Sequence, residues 1–291
     1  MSTSNKEEYK FFIQKLLDAI LGKNISPEDK EKLMDALHHE IVDKPFRVAI
    51  IGQAGVGKST TINQLFLLNS EEKLETSDIT EGTTKVTEKI FPIRDGFNLS
   101  VYDMPGLNKD PEKDKKYEKM YREILPKCDV IVYVIAANRR DFGEDCRILK
   151  EVCLPICNQE NIMDRFILAI NKLDVIGESV DPDNIDYQWD YQSNKPTGEL
   201  KKIVKTRLSD IIDKLIDENL IEETNEMTIS TERIVFYSAA CDYNMGSFLL
   251  SVAKSGQRGW IFPASVGLDL ASKHKDNDED QLNKLAGGLK K

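Results

Sequence analysis

Residues 52–59 read Gly52-Gln53-Ala54-Gly55-Val56-Gly57-Lys58-Ser59, and they follow the apolar run Val48–Ile51 directly. Few local patterns restrict a chain more than this G-x-x-x-x-G-K-S spacing. The glycines let consecutive backbone N–H groups turn inward around an anion, and a helix opening at Lys58 adds the positive end of its dipole. A strand before and a helix after are the context that gives the pattern its meaning. The anion such a loop takes is a phosphate chain. Lys58 is placed to reach the β- and γ-phosphates, and the Ser59 hydroxyl to ligate Mg²⁺. Thr60, next along the helix, joins the phosphate-side set.

Three further motifs each end a strand-like run. Asp103-Met104-Pro105-Gly106 closes Asn98–Asp103. Alone, it is an ordinary turn with Pro and Gly. Two strands after a phosphate loop it reads as a Walker-B-type site, with the Asp103 carboxylate holding Mg²⁺ through a water and the Gly106 N–H free to bond the γ-phosphate. Asn171-Lys172-Leu173-Asp174 follows Phe166–Ile170. The Asp174 carboxylate can accept from the N1–H and the 2-amino group of guanine. Adenine offers neither donor, and a buried carboxylate left unpaired is a strong penalty, so this group selects GTP or GDP over adenine nucleotides. Asn171 would bond the base edge or the phosphate loop, and the Lys172 stem would lie across the ring. Ser238-Ala239-Ala240 follows a third run, and its Ala239 N–H could meet the guanine O6.

The motifs sit in an alternating chain. Runs rich in Val, Ile, Phe and Tyr predict strands at 46–51, 87–93, 98–103, 129–135, 165–170 and 233–238. Helical spacing predicts helices at 58–69, 113–124, 143–158, 197–218 and 245–254. Strands separated by helices imply right-handed crossovers and a mostly parallel sheet covered on both faces, with ligands at the carboxyl ends of the strands. Two helices are predicted within 6–42. The domain reading is an N-terminal helical segment at 1–45, a nucleotide-binding domain at 46–255 and a C-terminal extension at 256–291, whose end from 272 is a solvated tail.

The chain has a formal net charge of −10. Such an acidic chain is poorly suited to non-specific nucleic-acid binding or to anionic lipid. Five cysteines without C-x-x-C spacing suit reduced thiols in cytosol rather than a disulfide framework or a zinc site. Three scattered histidines form no triad. No run reaches the roughly 18 apolar residues that span a bilayer, and the N-terminus does not read as a secretory signal. The location expected is cytoplasmic, with peripheral membrane contact through an amphipathic helix in 6–42 left open.

In this order, the four motifs resemble those of the Era/TrmE-like superfamily of P-loop GTPases. Within it, the chain looks most like the bacterial YfjP/YeeP-like group, with the immunity-related GTPases as more distant relatives. Trp189, Asn194, Pro196 and the helix over 197–218 belong to the resemblance, which covers about 46–255. It implies a Ras-like α/β fold with six strands, one of them antiparallel, and a GTP-hydrolysing molecular switch. It also places the switch-I threonine in Gly82-Thr83-Thr84-Lys85, with Thr84 on Mg²⁺ and the γ-phosphate and Thr83 as the second choice. One position departs from the pattern. Ras-like enzymes carry a Gln after the D-x-x-G motif to orient the attacking water, and this chain has Leu107. Leucine cannot position water, so slow intrinsic hydrolysis is expected. Gln53, polar residues of 108–115, or a group from a second protomer could substitute, and the catalytic set is read as Lys58, Thr84 and Gln53. A nucleotide-dependent homodimer and an unidentified protein effector are the expected partners. Ribosomal RNA is disfavoured, because no RNA-binding fold is visible in 256–291.

Overall fold

The computed structural model describes residues 44–67, 86–92, 98–106, 111–181, 187–196, 198–222 and 227–255, together with Ser26, Glu28, Asp29 and 31–33. Most of the helices read within 6–42, the threonines Thr83 and Thr84, Leu107 and the extension 256–291 lie outside the described residues.

Six strands form one sheet: β1 (Phe46–Ile51), β2 (Thr87–Pro92), β3 (Asn98–Asp103), β4 (Val130–Ala136), β5 (Phe166–Asn171), and Ile234–Phe236. The order across the sheet is β2-β3-β1-β4-β5 and then Ile234–Phe236. All neighbours are parallel except β2, which runs antiparallel to β3. The register sets Ile50 beside Asp103, Ile51 beside Tyr133 and Ala136 beside Asn171. The carboxyl ends of β1, β3, β4 and β5 therefore line one rim, and the motifs leave the sheet there.

Every residue of β4 and β5 is buried, as the continuous apolar runs require of strands covered on both faces. Side chains alternate between two cores. Phe46, Val48 and Ile50 of β1 pack with Ile62 and Leu65 of α1 (Lys58–Leu65) and with Phe248 and Leu249 near the C-terminal end. Ala49 and Ile51 pack on the other face with Tyr117 and Tyr121 of α2 (Pro111–Ile124) and with the helices that follow β4.

The helix predicted over 143–158 is broken into α3 (Gly143–Ile148), a π-helical stretch at Leu149–Cys153 and α4 (Leu154–Gln159). Pro155 is the cause. It has no N–H to donate, and its ring displaces the carbonyl one turn back, so the preceding turn widens. Two further elements have no counterpart in the sequence reading. A short helix, α5 (Ile176–Val180), follows the Asn171–Asp174 motif. A small hairpin pairs β6 (Trp189–Asp190) with β7 (Lys195–Pro196). The Trp189 indole donates to Asn194 Oδ1 at 3.3 Å and meets the Tyr243 ring edge-on at 5.1 Å, which pins the hairpin to the segment after Ser238. The chain then forms α6 (Gly198–Asp217), β8 (Ile234–Phe236) and α7 (Met245–Lys254). Leu200, Val204, Leu208, Ile211 and Leu215 of α6 are buried at helical spacing.

All five cysteines are free thiols, and Cys128, Cys146, Cys153 and Cys157 are buried. Desolvation raises the pKa of each, to about 11 for Cys146 and about 12 for Cys157. No described helix is long and apolar enough to cross a membrane.

Tyr237 follows β8 and is fully buried, with its ring 4.8 Å from Phe248. Its hydroxyl shares a 2.8 Å hydrogen bond with Thr61 of α1. Tyr237→Phe removes that bond and keeps the packing. Thr61 retains its 2.8 Å bond to the Gly57 carbonyl, so urea unfolding is expected to show a loss of only about 1 kcal/mol.

Candidate functional site

The loop between β1 and α1 turns on left-handed glycines. Gly57 has φ +94°, and a Cβ there would lie 2.5 Å from Asn171 Nδ2. Both the backbone angle and the contact require glycine. Gly106 is equally confined: a Cβ would come 2.9 Å from the Ala54 nitrogen and 3.1 Å from the Gly52 carbonyl oxygen. The end of β3 is thus pressed against the phosphate loop. Tyr121 of α2 supports it from below, donating to the Pro105 carbonyl at 2.8 Å.

Lys58 is buried, and its ammonium donates to the carbonyls of Gly52 at 3.1 Å and Gln53 at 2.9 Å. Burial lowers its pKa to about 8, while the nearby Asp103 carboxylate opposes that shift and Arg139 adds to it. Ser59 and Thr60 open α1 behind it, half-exposed. Asp103 and Ser59 supply hard oxygen donors, few in number, which suits an ion such as Mg²⁺ that also takes phosphate oxygens and water.

The base-side motifs come together at the ends of β5 and β8. Asn171 donates from Nδ2 to the Val56 carbonyl at 2.9 Å, and its Oδ1 accepts the Ala239 N–H at 3.1 Å. Of the two roles read for Asn171, contact with the phosphate loop is the one present here. The Ala239 N–H, read as a donor to guanine O6, is engaged with Asn171. Asp174 is buried, and Oδ1 of its carboxylate accepts the Ser238 hydroxyl at 2.5 Å. Lys172 adopts a left-handed backbone (φ +67°), with its Cε 3.9 Å from the position a Gly57 Cβ would take. Gly52, Val56, Gly57, Lys58, Gly106, Asn171, Lys172, Asp174, Ser238 and Ala239 are thus gathered by pairwise contacts at the carboxyl end of the sheet.

Gln53, read as a stand-in for the missing switch-II glutamine, has its side chain engaged inside the protein. Its Oε1 accepts from Arg139 at 2.9 Å, and its amide group faces Asp145. Asp145 is buried and accepts the Tyr133 hydroxyl at 2.9 Å. Desolvation raises its pKa, and Tyr133, Gln53 and Arg139 hold it partly down. Sequence reasoning does not find Arg139 or Asp145. The one signal for Arg139 is the pair Arg139-Arg140 just past the carboxyl end of a central strand, where ligands of such sheets bind. A cavity of about 510 Å³ opens between this segment, α5 and α6, lined by residues that include Arg140, Ser179, Lys202 and Arg207. No motif residue lines it.

Residues 47–172 match the family model described as a 50S ribosome-binding GTPase. Over this segment the chain is similar to the P-loop GTPases. The chain is similar to the tRNA modification GTPase MnmE of Desulforamulus reducens, at 26% identity over 80% of this chain and 47% of that protein. It is also similar to the uncharacterized protein YfjP of Escherichia coli K12, at 28% identity over 44% of this chain and 42% of that protein. Among solved structures, a point variant of Aquifex aeolicus Era bound to GDP·AlF4⁻ matches 72% of this chain and 56% of its own, at 20% identity and a TM-score of 0.47. The chain spans less than half the length of the curated relatives it matches.

Asn171→Ala leaves the Val56 carbonyl and the Ala239 N–H without their shared partner. Buried groups orphaned this way cost about 1–3 kcal/mol each. Fluorescent GDP titration is expected to show affinity reduced by roughly tenfold or more, because the loops that flank the nucleotide lose their common tie.

Proposed function

We propose that the protein is a Mg²⁺-dependent GTPase switch that binds GTP, hydrolyses it slowly to GDP and phosphate, and is accelerated by self-assembly or by a partner. One observation carries the reading. Asn171 links the phosphate loop to the Ser238–Ala239 segment, and the buried Asp174 carboxylate stands beside that link. That arrangement supports a phosphate chain and a guanine base being held side by side, with the carboxylate discriminating between bases.

In this reading the residues take the following roles. Lys58 exchanges the Gly52 and Gln53 carbonyls for phosphate oxygens and carries positive charge to them. Ser59, Asp103 and, in this reading, Thr84 would hold Mg²⁺, which supplies charge neutralisation at the phosphates when bound. Gly106, pressed against the loop, offers its N–H at the same place. Leu107 supplies no group to orient water, so a slow basal rate is part of the proposal. The switching unit is taken as 46–255, in the cytoplasm. A scaffold that holds GTP or GDP with negligible hydrolysis is the second reading, supported by that same leucine.

Two measurements test this. GTP is expected to bind and ATP to fail as a competitor. Asp174→Ala should weaken GTP by roughly 10- to 100-fold, as loss of a hydrogen-bonded charge predicts. Equal competition by ATP would defeat the base assignment. GTP turnover per molecule, followed against protein concentration with Mg²⁺ present, should rise if a second protomer completes the site. A flat profile with no turnover above the Lys58→Ala variant favours the scaffold.

A further inference from the structure

The arginine just past β4 is fastened at both ends. Its guanidinium donates to Gln53 Oε1 at 2.9 Å and to the Ala54 carbonyl of the phosphate loop, and it lies 3.7 Å from the position a Gly55 Cβ would take. Its own backbone is held from α6. Arg207 donates to the Ala137 carbonyl at 3.0 Å and to the Arg139 carbonyl, and its guanidinium stacks 4.8 Å over the Phe142 ring. A two-arginine chain therefore runs from the middle of α6, through the segment after β4, to the rim of the loop.

The Ala54 carbonyl and the Gly55 N–H belong to one peptide unit. A cation on the carbonyl oxygen polarises that unit and makes its N–H a stronger donor. In a loop of this type the backbone N–H groups cradle the phosphates, where charge grows as the terminal phosphate departs. The same guanidinium keeps the Gln53 side chain fixed against Asp145.

Resting on the GTPase reading above, we propose that Arg139 is a positioning residue for hydrolysis. It braces the phosphate loop at Gln53 and Ala54, sharpens the Gly55 N–H, and depends on Arg207 to be held there. It acts through the loop, so it governs the rate more than the hold on nucleotide. Lysine is no substitute, because one ammonium cannot serve both acceptors with the planar fork of a guanidinium.

The test is a double-mutant cycle read by single-turnover GTP hydrolysis and by GDP affinity, on full-length protein with Mg²⁺, with thermal melting as the check on folding. Arg139→Ala should slow hydrolysis about tenfold or more while GDP affinity changes by less than about threefold. Arg139→Lys should fail to restore the rate. Arg207→Ala should slow it less, and the double variant should be no slower than Arg139→Ala, since Arg207 acts through Arg139. A wild-type rate in Arg139→Ala, a rate restored by lysine, or effects of the two arginines that simply multiply would overturn the proposal. If Arg139→Ala does not fold, Arg139→Lys and Arg207→Ala decide the matter on the same two readouts. An inactive wild type would instead overturn the GTPase reading and this proposal with it.

Discussion

Asn171 joins segments 115 and 68 residues away in the chain through the two ends of one amide group. It can do so because β5 ends beside β4 in the sheet, with the phosphate loop on one side and the turn after β8 on the other. Its amide is both donor and acceptor, so a single buried side chain satisfies the Val56 carbonyl and the Ala239 N–H. Neither an aspartate nor a leucine of similar size could serve both. The confinement of Gly57 follows from it, since the amide nitrogen fills the space a side chain would need. The shape of the phosphate loop and that of the base-side turn are therefore not independent properties.

Electrostatics at the loop follows from packing in the same way. Lys58 has been taken out of water, and its ammonium rests on two carbonyl groups with the Asp103 charge nearby. Carbonyl dipoles are modest compensation for desolvating a full charge, and the lowered pKa expresses that deficit. The loop thus holds its cation in a state that an anion improves. Arg139 lies on the same carbonyl-rich rim, and Asp145 balances it from the interior, so charge around the phosphate loop is arranged in layers rather than concentrated in one pair.

The strands and the four motifs are legible in the sequence because both are local. β4 and β5 are continuous apolar runs, and the motifs are fixed spacings at strand ends. Strand bounds agree with the structure to within a residue or two for most of the sheet. The break at Leu149–Cys153 is also local in origin, since Pro155 stands in plain view inside a helical pattern, but the pattern outweighs it. The hairpin of β6 and β7 is harder. Its two-residue strands have no periodicity, and it is held by the contacts of Trp189 and Asn194 with residues some 50 positions on. Arg139, Arg207 and Asp145 are connected through backbone carbonyls and a glutamine, partners that leave no compositional trace. Asn171 marks the boundary between the two cases: its presence is readable, and its choice of partner is not.

The four buried thiols carry a consequence of another kind. Cys146, Cys153 and Cys157 lie along the α3–α4 stretch and Cys128 at the entry to β4, all shielded, with their protons held more tightly than in a free thiol. Thiol reagents attack the thiolate, so in the closed structure these sulfurs are chemically silent. They become reactive only when the face of the sheet that they share opens to solvent. Their alkylation is then a clock on the breathing of that half of the core, read at native sulfurs with no introduced cysteine.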